Sequence, residues 1–251
     1  MPKTFIIGDV HGCIDELNEL MQLLAPSADD QLIFIGDLID RGPDSSGVVR
    51  QIVQWSKQID VKLILGNHEE KFLRYVQHIK DGSGIEKQMK RIDEFPQLLD
   101  SIGDEELSYL QNAYHSIHLP EYNSLLIHGG VWRDIHFSLP ATYLYQEDNS
   151  DINKQLSLLN KTRYLNPEGK FVSYGEEKPE DVFWADDYNG QFGHIYFGHH
   201  PFIQPDPYQF THATAIDTGC VYGGWLTAVE LSDNKVQFKS VAARKVYSVK
   251  K

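Results

Sequence analysis

The chain has 251 residues, 41% of them hydrophobic, and a formal net charge of −13 at pH 7. That length and apolar fraction can bury one full core, with or without a lid. The charge excludes strong nucleic-acid binding through a broad basic surface, and no apolar run approaches the length of a membrane span.

The first seventy residues alternate strand, helix, strand, helix, strand. Phe5-Ile6-Ile7 runs into Gly8-Asp9-Val10-His11-Gly12. Ile14, Leu17, Leu20, Met21 and Leu24 then recur at helical spacing. Leu32-Ile33-Phe34-Ile35 runs into Gly36-Asp37-Leu38-Ile39-Asp40-Arg41-Gly42, and residues 46–57 carry a second helical pattern in Val48, Val49, Ile52 and Val53. Leu63-Ile64-Leu65 ends in Gly66-Asn67-His68-Glu69. These are βαβ units, which imply a parallel sheet with its loops of interest at the carboxyl ends of the strands.

From about 70 to 118 the pattern turns helical and polar. Asp81-Gly82-Ser83-Gly84 breaks it, and Gly103-Asp104-Glu105-Glu106 has the form of a helix cap. This stretch reads equally as an insertion covering the sheet edge or as a substrate-selecting lid. Leu125-Leu126-Ile127 leads into His128-Gly129-Gly130, opening a second strand-rich half. Residues 143–170 look irregular, with Asn166-Pro167-Glu168-Gly169 as a turn between short strands. Ile195-Tyr196-Phe197 runs into Gly198-His199-His200, and three strands follow at 213–216, 226–231 and 236–241.

The motifs extend from Asp9 to His199, so a cut anywhere between them would divide one site; residues 1–251 are expected to form a single domain. Cys13 and Cys220 lack any paired zinc spacing and read as reduced, buried thiols. A cleavable leader would remove Asp9, so a cytoplasmic protein is expected.

A lone Asp at a strand end is usually a turn or helix cap, and a lone His is usually a satisfied polar residue. Five motifs that each deliver Asp, Asn or His where a buried strand meets a loop change that reading. Oxygen and nitrogen donors gathered from many strand ends suit a two-metal hydrolytic centre acting on phosphate esters.

The ordered set GDVHG, GDLIDRG, GNHE, HGG and GHH resembles the calcineurin-like metallophosphoesterases, and within them the phosphoprotein phosphatase branch with its GDxHG, GDxxDRG, GNHE, HAG and GHT pattern. The similarity runs from Phe5 to about Leu231. It implies an α/β fold, a four-layer α/β/β/α sandwich with two mixed sheets and a helical insertion. It also implies hydrolysis by a metal-bridging hydroxide. By motif position Asp9 and His11 would hold one metal, Asp37 would bridge both, and Asn67, His128 and His199 would hold the second. The mixed N/O shell favours two Mn²⁺ ions, with Fe or Zn²⁺ as alternatives.

The same resemblance makes His68 the general acid and Asp40 the carboxylate that orients it. Arg41 would clamp a phosphate oxygen, although an ion pair with Asp40 that merely shapes the loop is the plainer alternative. Asp217, in Ile216-Asp217-Thr218-Gly219, reads as a structural brace beside the ligands. Gly129 departs from the usual Ala, a change suited to a crowded backbone. His200 departs from the usual Thr and is expected to pack or hydrogen-bond beside the site.

Thr162-Arg163-Tyr164 and residues 183–190 resemble bacterial symmetrical bis(5′-nucleosyl)-tetraphosphatases and the phosphatase module of bacterial polynucleotide kinase-phosphatase. This context makes Arg163 the second phosphate clamp, with Arg133 as its rival. Tyr164, Trp184, Tyr188 and Tyr222 are candidates to stack on a base, but aromatics at this density more often pack a core. The leading expectation is a nucleotide-directed phosphoesterase that cleaves diadenosine tetraphosphate to two ADP. A protein serine/threonine phosphatase acting on phosphoproteins is the second reading, and an inactive binding protein on the same fold is the third.

Overall fold

A computed structural model describes residues 2–145, 150–232 and 235–249. The β-branched runs form the expected strands. Strands β1 (Thr4–Ile7), β2 (Gln31–Phe34) and β3 (Asp60–Leu63) are parallel, joined by helices α1 (Ile14–Leu24) and α2 (Ser45–Ser56). Asp44 caps α2 by accepting the Gly47 N–H at 2.7 Å. Helix α3 (Asn67–Lys80) follows β3 directly.

Helices α4 (Phe95–Ser101) and α5 (Asp104–Gln111) occupy the stretch expected to be helical. Phe95, Leu98 and Leu110 are buried with Phe72 and Val76 of α3 and with Val49 and Ile52 of α2. These helices therefore thicken the layer over the first sheet. One side chain reaches further: the Glu94 carboxylate accepts the Arg41 N–H at 3.2 Å.

The helical stretch stops at Gln111, short of the expected boundary near 118, because Tyr114–Leu119 is strand β4. Its alternating Tyr-His-Ser-Ile-His-Leu pattern hides the strand, since His115 and Ser116 are polar yet fully buried. Strands β5 (Ser124–Ile127) and β6 (Tyr143–Leu144) follow. Within the supposedly irregular 143–170 stretch, residues Asp151–Leu156 form helix α6, capped by Ser150. Only Asn153 and Leu156 of this helix are buried, too few for a visible apolar stripe.

Strands β7 (Tyr164–Leu165), β8 (Phe171–Val172) and β9 (Val182–Phe183) make a small antiparallel sheet, with the Asn166–Gly169 turn between the first two. Helix α7 (Trp184–Asp187) leads to β10 (His194–Phe197), β11 (Tyr208–Gln209), β12 (Ala213–Ala215), β13 (Trp225–Ser232) and β14 (Lys235–Ala242).

The first sheet has the order β14-β13-β1-β2-β3, and the second β11-β12-β10-β5-β4-β6. Both are mixed: β13 runs antiparallel to β1, and β5 runs parallel to β10 but antiparallel to β4. Between the sheets lies an apolar layer of Ile6, Ile33, Ile35, Ile117, Leu126, Tyr196 and Val229. Helices α1 to α5 cover the first sheet's outer face. The second sheet's outer face is covered by α6, α7 and the small sheet, through Leu156, Leu159, Leu165 and Trp184. This is the expected α/β/β/α sandwich, with a fourth layer made mostly of short elements.

Candidate metal centre

The five motif loops meet because the strands they follow are parallel within each sheet, β1, β2 and β3 in the first and β5 and β10 in the second. Loops after β1 and β2 carry Asp9 with His11 and Asp37, and the first turn of α3, after β3, carries Asn67 with His68. Loops after β5 and β10 carry His128 and His199. Backbone contacts join the two sheets here. His128 Nδ1 lies 2.7 Å from the Ile35 carbonyl, and the His199 N–H donates to both Asp9 oxygens at 3.3 and 3.1 Å.

Asp37 sits between two histidine groups. Its Oδ2 is 3.5 Å from His11 Nε2 and 3.9 Å from His68 Nε2. Its Oδ1 is 3.3 Å from His128 Nε2 and accepts the His68 N–H at 3.1 Å. His11, Asp37 and His68 form one cluster of donor atoms within 4.8 Å of one another, and Asp37, His128 and His199 form a second. The two clusters share one carboxylate, the arrangement that a pair of bridged cations requires. Asn67 Oδ1 lies 3.3 Å from His128 Nε2, beside the second cluster. Asp9, expected to hold the first cation with His11, belongs to neither cluster; its carboxylate accepts the His199 N–H, and His68, expected as the general acid, completes the first cluster.

Local backbone geometry marks the same residues. His11, Asp37, Asp40, Arg41 and His199 all have φ between 46° and 75°, in the left-handed region that costs L-residues energy. Gly36 shares this region at φ 101°, and a Cβ there would lie 2.6 Å from Gly66 Cα. Gly129 stands against the Leu159–Lys161 backbone, where a Cβ would meet the Leu159 oxygen at 2.8 Å. The crowding expected from the departure to Gly is present.

Glu69, quoted in its motif but given no role from sequence, organises the Asp37 loop. Its carboxylate accepts the N–H groups of Asp37 and Leu38 at 2.8 Å, Ile39 at 3.2 Å and Gly66 at 3.1 Å. Acid three residues after a glycine is a helix-cap signal. Burial pushes the Glu69 carboxyl up to about 7.

The electrostatics follow from packing many ionisable groups in a dry space. Burial and the nearby Arg41 lower His11 to about 3, and burial with Arg163 holds His199 well below its usual value. Both imidazoles are therefore held neutral; Nδ1 of His199 has no partner, while Nε2 of His11 faces Arg41. Burial, with Asp217 and Asp37 close by, raises Asp9. Burial opposes ionisation of Asp37, yet the imidazoles of His128 and His68 hold its carboxyl well below the usual range. Burial raises Asp217 to about 6 against the Gly219 N–H it accepts at 3.0 Å.

His68 Nδ1 lies 2.6 Å from Asp40 Oδ2, so Nε2 faces the centre. Arg41 places Nη1 2.7 Å from His11 Nε2 and Nη2 2.7 Å from His68 Nε2. Arg163 donates from Nη2 to the His199 carbonyl at 3.1 Å, and its buried Nε has no partner. Its rival Arg133 is engaged elsewhere, with Nε 2.8 Å from Asp187 Oδ2 and Nη1 3.2 Å from the Pro167 carbonyl. His200 packs against Phe183 and Phe202 at ring separations of 5.2 and 5.1 Å. Trp184 and Tyr188 belong to the core of the second sheet. The exposed aromatic at the site is Tyr174, 64% accessible, with its ring centre 5.3 Å from the Arg163 guanidinium carbon. Nothing in the pattern around residue 174 singles it out.

A family model described as calcineurin-like phosphoesterase matches residues 2–224. The chain is 30% identical to a protein of Oceanobacillus iheyensis named bis(5′-nucleosyl)-tetraphosphatase PrpE [asymmetrical], over 99% of this chain and 96% of that one. It is 27% identical to a protein of Psychromonas ingrahamii named bis(5′-nucleosyl)-tetraphosphatase, symmetrical, over 98% and 99%. A crystal structure described as a putative diadenosine tetraphosphatase superposes with a TM-score of 0.71 at 24% identity, covering 97% of this chain and 96% of that one.

Proposed function

Because the chain belongs to the calcineurin-like phosphoesterases, we propose that it is a metal-dependent hydrolase of bis(5′-nucleosyl)-tetraphosphates, in which Asp37 would be the carboxylate shared by two divalent cations. The observation that carries the reading is the single Asp37 carboxylate lying between His11 on one side and His128 with His199 on the other. The buried, unpartnered Nδ1 of His199 and the imidazoles held neutral by burial fit a metal-binding role. The mixed nitrogen and oxygen donors support Mn²⁺, with Fe and Zn²⁺ as alternatives.

When bound, the cations would activate a water for attack at neutral pH and offset charge on the phosphoryl oxygens. The protein's own groups do the rest. Glu69 keeps the Asp37 loop rigid. Arg41 and Arg163 bind phosphate oxygens of the polyphosphate chain through charge-assisted hydrogen bonds. Once Arg41 turns to the phosphate and frees His68 Nε2, the imidazole, with Nδ1 held by Asp40, takes up a proton there and gives it to the leaving oxygen. Tyr174 offers an exposed ring beside Arg163 for a base to stack on.

Residue motifs suggested a central cut giving two ADP. The names of the two relatives divide, and the one with the higher identity supports an asymmetric cut to ATP and AMP. We adopt the asymmetric cut. The two free, buried cysteines agree with a reducing compartment such as the cytoplasm. Among the described residues no helix is long and apolar enough to cross a membrane.

Incubation with Mn²⁺ and diadenosine tetraphosphate, a phosphopeptide or a 2′,3′-cyclic nucleotide tests the reading. ATP plus AMP is the expected product pair. Two ADP would restore the central cut. Phosphopeptide turnover without dinucleotide cleavage would assign a protein phosphatase, and no turnover with metal bound would assign a binding protein.

A further inference from the structure

A second donor cluster lies outside this centre. Cys13 Sγ, Cys220 Sγ and a carboxylate oxygen of Glu16 fall within 4.8 Å of one another. Cys13 and Glu16 are fully buried and Cys220 is 1% exposed. Cys13 precedes α1, Glu16 lies in its first turn, and Cys220 begins the turn after Gly219. The C-terminal segment closes over them. Tyr247 and Ser248 both donate their N–H groups to the Val221 carbonyl at 3.0 Å.

Glu16 is the anomaly. Its Oε1 accepts the Arg244 N–H at 2.8 Å and the Tyr247 hydroxyl at 2.7 Å. Its Oε2 is buried and has no partner. The Arg244 guanidinium does not compensate the charge, because its Nη1 is held by Asp15 Oδ2 at 2.5 Å. A buried carboxylate with one oxygen pinned by two neutral donors and the other bare is costly unless a cation meets it. Pinning one oxygen is also how an outer set of hydrogen bonds orients a metal-binding carboxylate.

We propose that Cys13, Glu16 and Cys220 form a separate cation site for a thiophilic divalent ion of the zinc class. Two sulfur donors and one carboxylate oxygen suit such an ion and are wrong for Mg²⁺ or Ca²⁺. Three protein donors is the number zinc keeps when its fourth position goes to water. Binding would release the thiol protons and tie together α1, the turn after Asp217 and the C-terminal segment.

The chain has only two cysteines, so any thiolate signal reports on this site alone. The metal-stripped protein is titrated with Co²⁺ and followed in the near ultraviolet. A saturable thiolate-to-cobalt charge-transfer band is expected, displaced by Zn²⁺. Cys220→Ser and Glu16→Gln should each bind one Co²⁺ fewer than wild type and lose or shift the band. Both should keep turnover of p-nitrophenyl phosphate with Mn²⁺. Absence of the band in the wild-type protein overturns the proposal without recourse to a variant. So does a band that neither substitution changes, or loss of both free thiols to a disulfide in the purified protein.

Discussion

Arg41 and His11 meet at 2.7 Å, guanidinium Nη1 against imidazole Nε2. A guanidinium only donates, so the His11 nitrogen offers its lone pair. A first-site metal would need that same lone pair, and the arginine and the ion therefore compete for it. Arg41→Ala should bind Mn²⁺ at least as tightly as wild type in calorimetric titration. Its kcat/KM should still fall by ~10–100-fold, the scale of one lost charge-assisted contact to phosphate. Weaker metal binding in the variant would show that Arg41 supports the site instead of contesting it.

Glu69 sustains four peptide N–H groups at once. Glu69→Gln replaces one accepting oxygen with a donor facing donors. We expect a loss of roughly 3 kcal/mol in urea unfolding, the order of one or two charge-assisted hydrogen bonds. The measurement belongs in EDTA, so that lost metal affinity cannot mimic it. Unchanged stability there would confine Glu69 to metal affinity.

His68→Ala should separate substrates by their leaving groups. Alkyl phosphates leave as basic alkoxides, and loss of a general acid typically costs ~10²–10⁴-fold. p-Nitrophenolate leaves without a proton and should suffer far less. Equal losses on both would limit His68 to holding the loop through Asp40.

Tyr174→Ala tests the stacking platform. KM for diadenosine tetraphosphate should rise by ~5–100-fold, since stacking one base contributes about 1–3 kcal/mol. Turnover of p-nitrophenyl phosphate should not change. If both substrates weaken together, Tyr174 acts by positioning Arg163.

His115 supplies an acid-sensitive element away from the centre. It is fully buried beside Tyr145, and its ring nitrogens lack hydrogen-bond partners. Burial lowers it from 6.5 to about 4. The unfolded chain therefore binds the extra proton first. Stability should drop as pH falls through that window, by roughly 3 kcal/mol once the window is crossed. His115→Leu should remove this component, so that its unfolding free energy gains on wild type below about pH 6. Parallel curves would assign the acid lability to other groups.

Much of this site could be read from the chain because strand ends and motif residues coincide. Five apolar runs and the donors that follow them gave both sheets and the cluster around Asp37. What stayed hidden was polar and buried, or exposed and isolated. β4 was masked by His115 and Ser116, whose burial breaks the rule that polar positions face water. Helix α6 lacked an apolar stripe. Tyr174 is singled out by its distance from Arg163, a relation across eleven positions and a turn that no periodicity encodes. Glu16 looked like one more acid in a helix's first turn until packing enclosed it.

The contact between the His199 peptide and Asp9 spans 190 residues. Closing a loop of that length costs about 5 kcal/mol of chain entropy before any local gain. During synthesis the first three motif loops can form while half the chain is still unmade. Their donors cannot be completed until residue 199 has left the ribosome and β10 has docked beside β5. On the proposed reading, a chain cut before residue 199 lacks the His199 donor and is expected to be hydrolytically silent, so activity would report that translation has passed the last motif.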